Sequence, residues 1–246
     1  MDFSLELPVG SAPIVRARRV GVWVRRGFAL LLLVCGACID DSPMTTGPSS
    51  HLRFIQAVPN APVVDLLFDS STVGANLGYR AETGFLRVRA GDRRVQIRQV
   101  WTTTMLMDLT VPVEFPRAYT VISTGLLNDV QPVVAPDTAS IPDVGEFKLR
   151  ILHAAPSAGL VDVYVTDVSA SLAGATPMVT GLSFRGNTEY YVFPVGNQRV
   201  RITAAGTTNT LIDVTNLFGE RVMRSVVMTD AVGGGAPFAG MLLVDF

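Results

Sequence analysis

The 246-residue chain carries 20 Lys and Arg against 21 Asp and Glu, a formal net charge of −1, and 48% of its residues are hydrophobic while 17% are charged. That balance excludes a wholly disordered chain. It also excludes a dedicated nucleic-acid binder, whose affinity rests on many Lys and Arg neutralising phosphates. Two His (His51, His153) and two Cys (Cys35, Cys38) are too few for a His-rich or Cys-rich metal site, and Gly233-Gly234-Gly235 lacks the Lys-Ser/Thr of a phosphate loop, so neither metal nor cofactor is expected.

At the N-terminus, Arg16, Arg18, Arg19, Arg25 and Arg26 precede an apolar run from Gly27 to Val34 that ends in Gly36-Ala37-Cys38. The run is shorter than the roughly 20 apolar residues of a membrane span, and this order of charge, apolar run and small residues predicts an export signal over 1–37. Cys35-Gly36-Ala37-Cys38 resembles the lipobox of bacterial lipoproteins, with Cys35 standing where Leu is usual. That resemblance implies lipid on Cys38, a membrane partner through a lipid anchor, and a place in the cell envelope outside the cytoplasm. Ile39 after it implies the outer membrane where lipoproteins are sorted by that residue. The alternative is ordinary signal cleavage and soluble release. Arg25-Arg26-Gly27-Phe28 also resembles part of a twin-arginine export signal, from which Val24 and Ala29 depart. Residues 38–50, rich in Pro, Ser, Thr and Gly, read as a flexible tether able to reach about 40 Å when extended.

Downstream, the chain repeats itself. Leu52-Arg53-Phe54-Ile55-Gln56-Ala57-Val58-Pro59 aligns without a gap on Leu149-Arg150-Ile151-Leu152-His153-Ala154-Ala155-Pro156, 97 residues on; Ala90-Gly91-Asp92 through Ile97 aligns on Val195-Gly196-Asn197 through Ile202, 105 residues on, as does Tyr119-Thr120-Val121-Ile122 on Arg224-Ser225-Val226-Val227. Two copies of one domain, 51–140 and 141–246, follow, with Pro136 to Glu146 as linker. Short β-branched runs (Val63 to Phe68, Leu86 to Val88, Val95 to Ile97, Tyr119 to Ile122) punctuated by Pro, Gly, Asn and Asp predict an all-β fold, each copy an antiparallel β-sandwich. Val64, Leu66 and Phe68 should face one way, and Gly91 and Gly196 should each turn a hairpin.

These aligned segments resemble the bacterial family catalogued as domain of unknown function 4397, whose members open on an Arg-x-x-His-Ala-x-Pro-x-Ala-x-x-Val-Asp type of segment. Arg150, His153, Ala154, Pro156, Ala158, Val161 and Asp162 supply it in the second copy, while the first has Gln56 in place of the His. The resemblance implies immunoglobulin-like sandwiches on exported proteins and brings no activity with it.

Candidate site residues follow from residue type and spacing. His153, near Asp162 and Ser157, invites a Ser-His-Asp hydrolase, but no Gly-x-Ser-x-Gly elbow is present and Gln56 replaces it in the first copy, so a strand-end His bonded to its turn is the expected role. Arg87, Arg89, Arg94 and Arg98 should share one hairpin and form a basic ribbon for an anionic polymer, or else a solvated sheet face. Trp101, and Tyr190-Tyr191 in the second copy, offer rings for stacking on a sugar or a protein. Arg53 with Asp65, and Arg150 with Asp162, lie 12 residues apart on consecutive strands and should pair structurally or hold turn backbone. The functional expectation is a non-enzymatic, envelope-anchored binding or structural module presenting its sandwiches to an envelope glycan or another envelope protein; the alternative is a secreted hydrolase using His153.

Overall fold

The computed structural model describes residues 47–245; the leader over 1–37, Cys38 and the tether up to residue 46 lie outside them. Among the described residues there is no helix, hence none long and apolar enough to cross a membrane. Sixteen strands fall into two sets of eight. The first set is β1 Ser49–Gln56, β2 Val64–Phe68, β3 Ser71–Leu77, β4 Leu86–Arg89, β5 Gly91–Gln99, β6 Met105–Val113, β7 Ala118–Thr124 and β8 Gln131–Asp137. The second is β9 Glu146–His153, β10 Val161–Asp167, β11 Val179–Leu182, β12 Tyr191–Pro194, β13 Gly196–Ala204, β14 Thr210–Phe218, β15 Val222–Thr229 and β16 Ala239–Val244.

The two sets have one topology. Sheets ordered β4-β1-β7-β8 and β3-β2-β5-β6 make the first sandwich, and β12-β9-β15-β16 and β11-β10-β13-β14 make the second. All neighbours are antiparallel except β1 with β7 and β9 with β15, which run parallel. Alternation fills each core: Leu52 and Phe54 from β1, Val64, Leu66 and Phe68 from β2, and Val95 and Ile97 from β5 meet in the first, and Leu149, Ile151, Val161, Val163, Val165, Val200 and Ile202 occupy the matching places in the second.

Three expectations about boundaries change. Ser49 and Ser50 belong to β1, paired with Arg89 and Val88, so the tether ends earlier than residue 50. Pro136 and Asp137 close β8 rather than open the linker. Gly91 and Gly196 do not turn hairpins: β4 pairs with β1, whereas β5 pairs with β2 and β6. At a φ of +108° Gly91 steps the chain from one sheet to the other, and Gly196 at +132° does the same. That backbone region is closed to most other residues, which is why a corner and a hairpin look alike in sequence.

A third apolar cluster joins the two sandwiches. Ile55, Ile122 and Ala135 of β1, β7 and β8 pack with Leu152, Val227 and Leu243 of β9, β15 and β16. The β1 and β9 sheets are therefore covered on both faces, and β7 is buried at every one of its seven positions. Each such Ile or Leu contributes about 1.5–3 kcal/mol on burial, and the described residues form a single compact unit.

Candidate functional site

Each repeated Arg is paired across the two copies, with neither Asp65 nor Asp162 as its partner. Arg53, 1% exposed, pairs with Asp245 of the second copy, and Arg150, 1% exposed, pairs with Asp137 of the first. Arg53 Nε donates to Thr120 Oγ1 at 3.0 Å and Nη1 to the Val244 carbonyl at 2.9 Å; Arg150 Nε donates to Ser225 Oγ at 2.7 Å and Nη1 to the Pro136 carbonyl at 3.2 Å. Phe85 lies under the Arg53 guanidinium and Tyr190 under that of Arg150, at 4.6 and 4.7 Å to the ring centroids. Tyr190 Oη donates to Asp245 Oδ2 at 2.9 Å, so this ring belongs to the interface between the copies. Burial drives its hydroxyl well above the ordinary phenol range, and burial likewise lifts the Asp137 carboxyl against the pull of Arg150 and Arg53.

The expected pairs Arg53 with Asp65 and Arg150 with Asp162 do not form, because β1 and β2 lie in different sheets with the core between them. Arg53 and Arg150 face the other sandwich. Asp162 takes the other expected role and holds backbone, accepting the Gly181 and Gly206 N–H groups at 2.8 and 2.7 Å. Asp65 accepts the Asn76 N–H at 3.1 Å and Arg98 Nη2 at 3.3 Å.

His153 ends β9, 1% exposed, with Nε2 at 2.8 Å from the Gly159 carbonyl and Nδ1 accepting the Ala155 N–H at 3.3 Å. Gln56 does the same work in the first copy, its Oε1 accepting the Val58 N–H. Ser157 donates to Asp230, 2.7 Å away, and Asp162 is held by turn backbone, so the three residues of the imagined hydrolase are each engaged elsewhere. Burial is the main influence on His153 and holds its imidazole below the usual range, against the Gly159 carbonyl and Asp230. The folded state thus favours the neutral ring, whereas the unfolded chain takes up a proton below about pH 6.5. Its contribution to stability is complete above that pH and is lost as pH falls through the folded value. Urea unfolding should therefore show a larger loss for the wild type than for His153→Gln between about pH 7.5 and about pH 5; equal losses would refute the assignment.

The basic ribbon is not assembled. Arg87 on β4 donates to Ser49 Oγ, while Arg94 and Arg98 lie on β5 in the other sheet. Arg94 meets both oxygens of Asp108, at 2.9 and 2.5 Å, and Arg93 meets Asp69 at 2.8 Å. Arg89, which pairs with Ser49 across β1, also has a partner of its own. Carboxylates thus hold Arg94 and Arg98, and a serine hydroxyl holds Arg87. Among the described residues no group of three or more His, Cys, Asp or Glu is placed to hold a metal.

Trp101 stands apart, with 95% of its surface exposed at the turn between β5 and β6. Its φ is +62°, and the residue 105 positions on, Gly206, has a φ of +72° in the matching turn. Asn76 at +57° likewise matches Gly181 at +63°. A left-handed backbone costs a side-chain-bearing residue about 1–2 kcal/mol, Asn less than most. Where the second copy relaxes that cost with glycine, the first carries Trp and Asn, and an exposed ring returns almost nothing by burial. Both side chains line one open concavity of about 510 Å³, with Asp65, Ala75, Arg98, Val100, Thr102 and Thr103. The sequence singled out Trp101; Asn76 was readable only through the repeat, as a non-glycine at a glycine position.

Fold and site together describe a tandem β-sandwich protein whose two copies share one structural core and differ at one exposed concavity. Residues 50–164 match the model of the family described as Domain of unknown function (DUF4397), and the tandem repeats of this chain resemble that family. No curated protein matches significantly. Solved structures with detectable similarity include a family 26 carbohydrate-binding module of Eubacterium rectale Amy13K in complex with maltoheptaose, at 10% identity, a TM-score of 0.26, and coverage of 80% of this chain and 96% of that one. A family 41 carbohydrate-binding module from streptococcal virulence factors, described as recognising alpha-glucan, matches at 12% identity and a TM-score of 0.26, covering 74% and 94%. A further streptococcal alpha-glucan-binding structure matches at 9% identity and a TM-score of 0.25, covering 72% and 92%. Similarity at this level does not carry a ligand over to this chain.

Proposed function

We propose that this protein is a non-catalytic, envelope-anchored module that binds a glycan at the Trp101 concavity. The observation that carries the reading is a fully presented Trp on a backbone conformation that its own repeat assigns to glycine. Selection that tolerates such strain without burial points to a ligand. An indole face suits the C–H face of a sugar ring, and Asp65, Asn76 and Arg98 around it supply planar polar groups for hydroxyls.

Chain direction supports the same reading. β1 runs from Ser49 to Gln56, and the connector 57–63 leads to β2 beside Trp101, where the Val100 N–H meets the Val63 carbonyl at 3.1 Å. The concavity thus sits at the end of the sandwich opposite the point where the chain enters, about 25 Å away by the rise of an eight-residue strand. A tether joining at Ser49 would thus leave the concavity uncovered.

The test is Trp101→Gly. Removing the ring should weaken binding to isolated envelope glycan at least tenfold, about 1.4 kcal/mol, while folding stability stays level or rises by up to about 1 kcal/mol as the backbone strain is relieved. A variant that binds as the wild type does would refute the site. For the anchor, the mature product should begin at Cys38 with the mass of an attached lipid; an unmodified N-terminus elsewhere would refute it.

A further inference from the structure

The charge balance of the concavity narrows the ligand. We infer that the Trp101 site takes a neutral pyranose, gripped by two neighbouring hydroxyls, and that each chain has one such site; this rests on the glycan-binding reading above.

Asp65 and Arg98 bring one negative and one positive group to the same wall, so the wall has no net charge to attract an acidic or a basic polymer. Their contact, at 3.3 Å, is longer than the usual 2.7–2.9 Å of a charge-assisted hydrogen bond. It is also looser than Arg94 with Asp108 at 2.5 Å or Arg199 with Asp213 at 2.5 Å, pairs on the same kind of strand. The Asp65 and Arg98 side chains remain 16% and 31% exposed. A carboxylate offers about four acceptor positions and a guanidinium five donors, so both groups keep capacity toward the concavity. An acceptor and a donor side by side match a vicinal diol, in which one hydroxyl donates to Asp65 and its neighbour accepts from Arg98. Trp101 supplies the stacking face, and Ala75 and Val100 add apolar wall.

The second copy cannot repeat this. Gly206, Gly181 and Thr203 stand at the places of Trp101, Asn76 and Arg98. Asp162, 5% exposed, is drawn in by the Gly181 and Gly206 N–H groups. The same Asp is a turn clamp in one copy and a wall of the concavity in the other.

The experiment titrates the full chain in mild detergent with neutral polysaccharides (glucans, mannans, galactans), with uronic-acid polymers, and with neutral polymers that have been periodate-oxidised and reduced. Indole fluorescence is read with Trp101→Gly as the blank. The expected result is saturable binding of a neutral polymer at one site per chain, changing less than twofold between about 50 and 500 mM salt, where a polyanion's affinity would be screened away. Binding should fall at least tenfold after diol cleavage and in Asp65→Asn or Arg98→Met. The Asn variant keeps an acceptor for the Asn76 N–H, so its fold is preserved. Tighter binding of an acidic polymer, with an affinity that collapses in salt, would overturn the neutral-diol assignment while leaving Trp101 as the site. Binding that survives diol cleavage would overturn it too, and two sites per chain would overturn the single-copy claim. If no polymer of any class perturbs Trp101, the glycan-binding reading itself falls.

Discussion

Replacing Arg150 by Met, or Asp137 by Asn, should each cost about 3–5 kcal/mol of unfolding free energy, and the double variant should cost clearly less than their sum. Both side chains are about 2% exposed, so either single change strands a charge away from water, and that stranded charge is the expensive term. The pair is embedded in a connected set: Thr120 Oγ1 accepts from Arg53 Nε and Arg150 Nη2 and donates to Asp137 Oδ2, while Ser225 and Tyr190 hold Asp245. Arg53→Met and Asp245→Asn should therefore behave as the mirror pair. By contrast, Arg150→Met combined with Asp162→Asn should be additive within about 0.5 kcal/mol, since the two share no partner. Denaturant unfolding of these single and double variants decides it. Coupling between Arg150 and Asp162, or none between Arg150 and Asp137, would refute the exchanged pairing. Because each acid belongs to the other copy, the ion pairs and the Ile55, Ile122, Leu152 and Val227 cluster should make the copies unfold in one transition.

How much of this was legible follows from what each signal encodes. Period-two alternation records which face of a strand is buried, and it placed Val64, Leu66 and Phe68 in the core and marked β2, β4, β5 and β7 as strands. It does not record which sheet a strand joins. Two strands either side of Gly91 read as a hairpin, and only the pairing of β4 with β1 reveals a corner. The spurious Arg ribbon, the Arg53 with Asp65 pair and the Arg150 with Asp162 pair all descend from that one ambiguity. A stronger clue lay in the uncharged run Ala118 to Thr124 and in single Arg residues set among Leu, Phe and Ile in β1 and β9. Strands without a polar face are covered on both sides, and an Arg within such a strand needs a partner from whatever covers it. The partner of Arg53 stands 192 residues away, beyond any local pattern. The candidate site was half legible: Trp101 drew notice as a ring, but its meaning came from φ values that only the structure supplies.

Gly125→Ala should be among the most damaging small substitutions in the chain. Gly125 follows β7 at a φ of +98°, and a Cβ there would lie inside the van der Waals envelope of the Asp129 carbonyl oxygen and 2.9 Å from Arg185 Nη2. The oxygen is backbone, fixed by its own turn, in which the Asp129 N–H meets the Leu126 carbonyl at 2.8 Å. The guanidinium bridges the copies, donating to Thr124 Oγ1 and to the Asp129 carbonyl, each at 3.1 Å. Left-handed strain of about 1–2 kcal/mol thus adds to an overpacking cost of about 1–3 kcal/mol, and relief by movement would dislodge Arg185. Gly84 provides the control, with a φ of +65° and nothing within 4 Å of its Cβ position, so Gly84→Ala carries the backbone strain alone. Thermal and denaturant unfolding of the two variants should separate them by about the overpacking cost. Adding Arg185→Ala to Gly125→Ala should recover little, because the clash that dominates is with backbone. Equal losses at the two glycines would show that the turn after β7 yields freely, and the Arg185 bridge would then not be holding the copies in register.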